Sequence, residues 1–241
     1  MVALDGRIVV VTGGAGDIGR AICRRFARDG ARVWALDLRE IDDPMPGVQF
    51  LHLDVTDAAA VNSAAQHVAA ESNRVDVLVN AAGIVENVPV ADMEVDTFDR
   101  VLAVNLRGVF LTCQAFGRIM LGQGEGRIVN IASMSGTAVV NTPQCQAAYN
   151  TSKAAVSALT RAMAVEWAPR GVRVNALSPG YVETELLALK RAQHTYWKER
   201  TPVGRFATVD EVAGAVAYLT GDEAGFYQGA DVLMDGGYTL W

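Results

Sequence analysis

Three residues in the second half of the chain have the types and spacing needed for acid–base chemistry on an alcohol. Tyr149 and Lys153 stand four positions apart in a helical pattern, so they share one helix face. A free phenol has a pKa of about 10 and is a poor base near neutrality, but an ammonium one turn away favours the phenolate and lowers that pKa. Ser133 ends an apolar run and can hydrogen-bond the substrate oxygen. The set predicts proton transfer by Tyr149 at an alcohol or a ketone.

A glycine-rich turn near the N-terminus predicts a nucleotide site. The β-branched run Arg7–Thr12 is typical of a buried parallel strand, and it enters T-G-G-A-G-D-I-G and then an amphipathic helix. Gly14, Gly16 and Gly19 satisfy the pattern G-x-G-x-x-G. Glycines there let the backbone approach a pyrophosphate, whose charge the helix N-terminus stabilises.

An acidic residue at the end of the second predicted strand bears on the choice of nucleotide. Asp37 follows the run Arg32–Leu36, about 20 residues after the glycines. A carboxylate at this place accepts hydrogen bonds from the adenosine ribose hydroxyls and repels a 2′-phosphate. Arg39 weakens the argument, because a guanidinium can meet a phosphate. On balance the pattern predicts NAD.

Apolar strand-like runs alternate with helical patterns along the chain, which predicts an α/β fold. Strands that are apolar along their length are typical of a parallel sheet covered on both faces. We therefore expect a single Rossmann-type doubly wound domain over residues 1–241, with a mainly parallel, seven-stranded sheet. Right-handed crossovers would bring the glycine turn, Asp37, Asn80 and Ser133 to one edge. An amphipathic segment at about 185–206 is predicted to form a helical substrate flap.

The bulk composition argues against several other classes of protein. The net charge of −6 over 241 residues gives no reason to expect nucleic acid or an anionic membrane as partner. No apolar run approaches the ~20 residues of a membrane span, and the N-terminus lacks a signal-peptide layout. The three cysteines and three histidines are scattered, so we expect neither disulfides nor a metal site, and a cytoplasmic location.

Nine motifs together resemble the short-chain dehydrogenase/reductase family, from Leu4 to the C-terminus. They are T-G-G-A-G-D-I-G, Asp37, D-V at Asp54, N-A-A-G at Asn80, V-N at Asn105, Ser133, Y-N-T-S-K, S-P-G-Y-V-E-T and the terminal D-G-G. The resemblance implies a catalytic tetrad of Asn105, Ser133, Tyr149 and Lys153. It also implies a set of cofactor-binding residues: Gly13, Asp17, Ile18, Gly19, Asp37, Asp54, Val55, Asn80, Gly83, Tyr149, Lys153, Pro179, Gly180, Val182 and Thr184.

The glycine turn departs from the family pattern T-G-x-x-x-G-x-G at one place. Asp17 stands where the family has a glycine. A carboxylate beside a pyrophosphate is unfavourable unless it points away or caps the helix. Asp tolerates left-handed backbone and serves well as an N-cap, so we expect cofactor binding to be retained.

Within the family, the motifs around Tyr149 and the C-terminus are similar to those of polyol and ketose dehydrogenases, galactitol dehydrogenases especially. This second resemblance implies an NAD-dependent enzyme that interconverts a secondary alcohol and a ketone, with a polyol or its ketose as the small-molecule substrate. Ser135, Asn141 and Gln144 would bind its hydroxyl groups beside Ser133 and Tyr149. Alternatives are an NADPH-dependent carbonyl or 3-oxoacyl carrier-protein reductase, and a nucleotide-sensing protein without turnover. The family resemblance also implies a homotetramer, to which Tyr238, Leu240 and Trp241 would offer apolar surface.

Overall fold

The strands form one parallel sheet in the computed structural model, which describes residues 6–40, 43–138 and 143–240. The order across the sheet is β3-β2-β1-β4-β5-β6-β7, and every described pairing is parallel. The prediction of a doubly wound α/β fold is confirmed, and the sheet is wholly rather than mainly parallel. The strands are β1 Ile8–Thr12, β2 Arg32–Asp37, β3 Val48–His52, β4 Val77–Asn80, β5 Gly126–Ile131, β6 Val172–Pro179 and β7 Asp231–Met234.

Helices cover both faces of this sheet. On one face α1 and α9 pack against the side chains of Val9 and Val11, and on the other α2, α4 and α6 pack against Val10. The alternation within β1 shows why its residues are all apolar, since successive side chains enter different cores. The helices are α1 Asp17–Arg28, α2 Ala58–Ser72, α3 Val95–Leu102, α4 Val109–Gln123, α5 Met134–Thr137, α6 Ala147–Trp167, α7 Glu185–Ala188, α8 His194–Glu199 and α9 Val209–Thr220.

The sequence from 96 to 122 has the pattern of one long helix, but the helix that it forms is interrupted. A π-helical segment, Ala103–Gly108, joins α3 to α4. The extra residue in each turn rotates the residues after it, and Gly108 closes the segment against the core. A Cβ on Gly108 would lie 2.8 Å from the Val55 side chain. Segments of this kind occur frequently at functional sites.

The C-terminal segment differs from the expectation in one respect. Tyr238 is 1% exposed and packs with Trp197, Phe206 and Tyr181 in a small separate core. It therefore offers no surface to a neighbouring subunit, which corrects the prediction made for it. Leu240 is largely exposed, and Trp241 lies outside the described residues.

The carboxyl ends of the strands meet at one edge. Thr12 at the end of β1 is paired with Leu36 of β2 on one side and with Asn80 of β4 on the other. Asn80 is in turn paired with Asn130 of β5. The loops that follow these strands carry the predicted site residues. Within the described residues, no helix is both long enough and apolar enough to cross a lipid bilayer.

Candidate active site

Tyr149, Lys153 and Ser133 come together where α6 passes the end of β5. The Ser133 and Tyr149 side chains are hydrogen-bonded to each other. Nζ of Lys153 lies 5.7 Å from the centroid of the Tyr149 ring and donates a 2.7 Å hydrogen bond to the main-chain oxygen of Ile131. Ser133 is the N-cap of α5 and accepts a hydrogen bond from the amide of Ser135. The structure thus assembles the acid–base set that the spacing predicts.

Burial dominates the electrostatics of this set. It raises the pKa of Tyr149, and the hydrogen bond with Ser133 lowers that pKa in part. It also lowers the pKa of Lys153 to about 8, because the ammonium is almost fully enclosed. The sequence argument expected the ammonium to depress the phenol's pKa. In the protein without nucleotide the pKa of Tyr149 is raised instead, because burial disfavours the phenolate.

Asn105 occupies the middle of the π-helical segment and is completely buried. Its Oδ1 accepts from the amide of Ile84 at 2.8 Å, and its Nδ2 donates to the Ile84 carbonyl and to Oγ of Ser152. A Cβ on Gly83 would stand 3.4 Å from Oδ1 of Asn105 and 3.5 Å from Nζ of Lys153. Asn105 therefore holds the loop after β4 next to Lys153.

The glycine-rich turn fits a dinucleotide. Gly13 has φ +68°, and a Cβ on it would lie 2.6 Å from the amide nitrogen of Ala82. A Cβ on Gly19 would lie 2.0 Å from the Gly13 oxygen, so a side chain at either position would break the turn. Gly16, the N-cap of α1, supplies no side-chain cap, which leaves the amides of the first turn for an anion. We conclude that the residues present suit a pyrophosphate.

The carboxylate of Asp17 points away from the turn. Its Oδ2 accepts a 2.8 Å hydrogen bond from the amide of Glu185, at the start of α7. This direction removes the electrostatic objection raised by its position in the motif. It also means that the Asp17 side chain contacts the segment at 185–206, while only its main chain belongs to the turn.

Asp37 stands beside the turn at the end of β2. Its Oδ2 accepts from the amide of Ala15 and its Oδ1 from that of Arg39, each at 2.9 Å. Each carboxylate oxygen keeps a second lone pair, so ribose hydroxyls can still bind. The Arg39 guanidinium also reaches the turn, because a Cβ on Gly16 would lie 3.7 Å from its Nη2.

Asn80 lines the edge with its main chain only. Its buried side chain donates to Oδ1 of Asn130 at 2.8 Å and accepts from Thr112 at 2.7 Å, which ties β4 to β5 and α4. Asp54 is likewise turned inward on its own loop, where Oδ1 accepts from the amide and hydroxyl of Thr56.

The remaining predicted cofactor residues flank these positions. A Cβ on Gly180 would lie 2.8 Å from Cα of Asp235, so the loop after β6 runs against the end of β7. Thr184 caps α7 through a hydrogen bond from Leu187. Three further residues have side chains that pack into the cores at this edge: Ile18, Val55 and Val182.

The predicted hydroxyl-reading residues are only partly brought together. Ser135 lies in the first turn of α5, next to the N-cap Ser133, and it is buried, with 4% of its surface exposed. Gln144 is half-buried just before α6. Asn141 lies outside the described residues.

A polar group next to these positions was not predicted. Oδ1 of Asn87 accepts hydrogen bonds from Nε2 of Gln146 at 2.9 Å and from Nζ of Lys190 at 3.1 Å. Burial lowers the pKa of Lys190. Gln146 precedes Tyr149 by about one helical turn, so the group lies near the start of α6. The only sequence signal for this group was Asn87, a polar residue shortly after N-A-A-G. Without the fold, nothing distinguishes it from an ordinary surface residue.

The segment predicted as a flap has three short helical pieces, one of them the 3₁₀ helix Arg191–Gln193. It contains α7 and α8, and it is attached on one side through Asp17 and on the other through Lys190. Trp197 of α8 is fully buried and stacks on Tyr181 with ring centroids 4.4 Å apart. The helical prediction is correct for these residues.

A glycine-rich turn, a carboxylate beside it at the end of β2 and a Ser–Tyr–Lys set lie on one edge of a doubly wound sheet, and together they indicate a nucleotide-dependent oxidoreductase. The sequence profile described as enoyl-(acyl carrier protein) reductase matches residues 13–239. The chain is 44% identical to galactitol 2-dehydrogenase (L-tagatose-forming) of Cereibacter sphaeroides, covering 99% of this chain and 97% of that protein. It is 41% identical to D-threitol dehydrogenase of Mycolicibacterium smegmatis, covering 98% and 94%.

A solved structure agrees with this likeness. The gluconate 5-dehydrogenase of Burkholderia cenocepacia, in complex with NADP and tartrate, superposes with a TM-score of 0.92 at 33% identity, covering 99% of this chain and 97% of that one. The chain belongs to the short-chain dehydrogenase/reductase family. It is an NAD(P)-dependent oxidoreductase that acts on CH–OH groups.

Proposed function

We propose that this enzyme is an NAD-dependent dehydrogenase that interconverts a polyol and its ketose. The observation that carries the proposal is the hydrogen-bonded pair of Tyr149 and Ser133 beside the Lys153 ammonium. Such a set has no purpose in a nucleotide sensor, since binding a nucleotide needs neither a base nor a hydroxyl aimed at a second ligand. Asn105 completes the set by holding the loop at Ile84.

The chain's own residues move the proton. NAD, when bound along the glycine turn, supplies the acceptor for the hydride that leaves the carbinol carbon. Tyr149 takes the hydroxyl proton as a general base, and Ser133 holds the same oxygen by a hydrogen bond. Lys153 stabilises the phenolate form of Tyr149, because its positive charge is close by and poorly solvated. Pro179, Gly180, Val182 and Thr184 would bind the nicotinamide end, and the turn with Asp37, Asp54 and Val55 the adenosine end.

The preference for NAD rests on Asp37. Its charge repels a 2′-phosphate, which is worth about 1–3 kcal/mol, or roughly 10–100-fold in efficiency. Two amides already neutralise part of that charge, and Arg39 offers a guanidinium to a phosphate. These two observations favour the second candidate, an NADPH-dependent carbonyl or 3-oxoacyl carrier-protein reductase.

The preference for a polyol rests on the polar rim of the site. Asn87, Gln146 and Lys190 form a hydrogen-bonded group near the start of the helix that carries Tyr149. We propose that this group lines the substrate pocket together with Ser135, Asn141 and Gln144. A pocket with several donors and acceptors discriminates against an apolar alcohol, because the alcohol leaves them unpaired. The galactitol and D-threitol dehydrogenases among the relatives support the same substrate class.

One experiment tests both choices. Initial rates are measured on a panel of sugar alcohols, simple diols and long apolar alcohols, with NAD and NADP at equal concentration. We expect polyols with NAD to give the highest kcat/KM. Equal efficiency with the two nucleotides would refute the cofactor assignment, and turnover of apolar alcohols alone would refute the polyol.

Assembly and location complete the proposal. We infer a homotetramer of one-domain subunits, supported by the family and by apolar side chains left exposed near the edge strand β7, Phe226 and Leu240 among them. A monomer by light scattering at micromolar concentration would contradict it. Three free cysteines support the reducing cytoplasm as its location. We propose that the segment at about 185–206 closes over the substrate as a flap.

A further inference from the structure

A carboxylate at the start of β7 bridges two separate parts of the site. Oδ2 of Asp231 accepts a hydrogen bond from Oγ of Ser157, and Oδ1 accepts one from Oγ of Ser178, each at 2.5 Å. Ser157 is 6% exposed and Ser178 is not exposed at all. Two enclosed hydroxyls thus donate to one carboxylate, a charge-assisted arrangement that is stronger than a pair of neutral hydrogen bonds.

The two serines belong to the two halves of the proposed chemistry. Ser157 follows Lys153 by one turn of α6, and its Oγ also lies 3.3 Å from the Lys153 carbonyl oxygen. Ser178 directly precedes Pro179 and Gly180, which are proposed to hold the nicotinamide end. Asp231 therefore connects the helix that carries the proton-transfer residues to the loop that would hold the hydride acceptor.

We propose that Asp231 is a positioning residue that fixes the distance between the proton-transfer helix and the nicotinamide loop. This inference rests on the proposed function and deepens it. Asp231 touches neither substrate nor cofactor; it acts through Ser157 and Ser178. Without Asp231, α6 could shift relative to the loop after β6. A shift of about 1 Å between reacting groups can reduce the rate roughly 100-fold.

The sheet itself does not need this bridge. β6 and β7 are already paired in parallel from Ala176–Asp231 to Pro179–Met234, and the amide of Gly180 donates to the Met234 oxygen at 2.9 Å. The side-chain bridge adds a connection that the sheet pairing lacks, because it joins β6 and β7 to α6. A link of that kind orients the helix relative to the loop.

The test compares variants that remove the bridge with one that keeps it. Asp231→Ala removes both connections, Ser157→Ala and Ser178→Ala remove one each. Asp231→Asn preserves both, because its amide oxygen accepts from Ser178 and its NH₂ donates to Ser157, whose proton then turns to the Lys153 carbonyl. The matched control is Asp76→Ala. Asp76 is a 3% exposed carboxylate that accepts from the amide of Ile8 at the opposite end of the sheet.

Three quantities are measured: kcat well below every melting temperature, the dissociation constant for NAD by calorimetry, and the melting temperature without nucleotide. We expect Asp231→Ala to lose about tenfold or more in kcat and to bind NAD several-fold more weakly. Ser157→Ala should lower mainly kcat and Ser178→Ala should weaken mainly NAD binding. Asp231→Asn should stay within about threefold of wild type. Asp76→Ala should have a lower melting temperature than wild type but the same kcat and NAD affinity. If Asp76→Ala does not fold, Asp76→Asn replaces it as the control.

The outcomes separate this inference from the proposed function. If Asp231→Ala keeps the wild-type kcat and NAD affinity, the positioning role is overturned. It is also overturned if Asp231→Ala and the Asp76 control have similar melting temperatures and lose kcat and NAD affinity to the same extent. If Asp231→Ala does not fold, the two serine variants decide in the same way. Turnover retained by Tyr149→Phe would instead refute the proposed chemistry, whatever the Asp231 variants do.

Discussion

Lys153 and Tyr149 face each other across one turn of α6, with Nζ of Lys153 5.7 Å from the centroid of the tyrosine ring. The lysine's hydrogen bond goes to the main-chain oxygen of Ile131, so its charge is compensated by a carbonyl rather than by a carboxylate. No described salt bridge reaches it. An ammonium held in this way stays available to a developing phenolate, which is what proton abstraction by Tyr149 requires.

The first prediction concerns Tyr149 as the proposed general base. Tyr149→Phe keeps the ring and removes the hydroxyl, so we expect kcat to fall by about 10²–10⁴-fold, the usual contribution of general acid–base catalysis. NAD affinity by calorimetry should stay within about twofold of wild type. Most of the activity surviving in this variant would rule out Tyr149 as the proton acceptor.

The second prediction concerns the titration of Tyr149. Burial raises its pKa above the ordinary value and the Ser133 hydrogen bond works against that rise. In the nucleotide-free protein, the ultraviolet difference titration of wild type minus Tyr149→Phe should show no tyrosinate below about pH 10. Ser133→Ala removes the opposing hydrogen bond, so the same titration should shift to still higher pH. A shift to lower pH would contradict the direction of the hydrogen-bond effect.

The third prediction is a gain in stability at the expense of activity. The pKa of Lys153 falls from 10.5 in the unfolded chain to about 8 in the fold. Folding therefore favours the neutral amine, and the charged form costs at most about 3 kcal/mol below pH 8. Between pH 8 and 10.5 the unfolded chain binds more protons, so stability contributed by this group rises with pH.

Lys153→Met removes that cost while nearly keeping the volume. We expect urea unfolding at pH 7 to give a higher free energy of unfolding for the variant, with the difference shrinking at pH 9.5. NAD affinity and turnover should both fall, because Lys153 is proposed to serve both. A variant less stable than wild type at pH 7 would show that the Ile131 hydrogen bond outweighs the burial of the charge.

The sequence was sufficient for the fold and for the central site. The strand and helix alternation follows from local apolar patterns, and parallel strands bring their carboxyl ends to one edge whatever the loops do. That is why Ser133 and Lys153 could be placed together although 20 residues separate them. The N-cap at Asp57 follows from local sequence alone, because an Asp that precedes a helical pattern commonly accepts from the amides of the first turn. Its side chain does so here with the amides of Ala59 and Ala60.

The sequence was insufficient wherever a side chain's partner lies far along the chain. Asp231 is 74 residues from Ser157 and 53 from Ser178, and no local pattern links them. The direction of Asp17 depends on Glu185, 168 residues later. The π-helical segment was missed because its extra residue per turn is set by packing of Gly108 on Val55, which leaves the apolar pattern looking α-helical.

The fourth prediction concerns the nucleotide. Asp37→Ala removes the charge that is proposed to face the ribose, so we expect kcat/KM with NADP to rise and that with NAD to fall, changing their ratio by roughly 10–100-fold. Arg39→Leu should lower the efficiency with NADP alone, because NAD offers no phosphate at this place. Initial rates over a range of each nucleotide measure both effects. An unchanged ratio in Asp37→Ala would remove Asp37 as the selecting residue.

The fifth prediction concerns the contact of the proposed flap with the substrate. Lys190 is half-buried, and its Nζ shares Oδ1 of Asn87 with the amide of Gln146. If this group binds substrate hydroxyls, Lys190→Met should raise KM for a polyol about tenfold, since one charge-assisted hydrogen bond is worth about 1.5–3 kcal/mol. KM for a simple secondary alcohol such as cyclohexanol should stay unchanged, because it has no second hydroxyl to read.

Lys198→Met is the matched control for this prediction. Lys198 is a lysine of the same segment, but its Nζ lies 4.9 Å from the centroid of the Phe206 ring, and no described hydrogen bond joins it to Asn87. It should leave both KM values near wild type. Steady-state kinetics with both alcohols at saturating NAD separate the possibilities. If Lys190→Met raises the two KM values equally, Lys190 only attaches the flap at Asn87; if it raises neither, the polar group at Asn87 lies outside the substrate pocket.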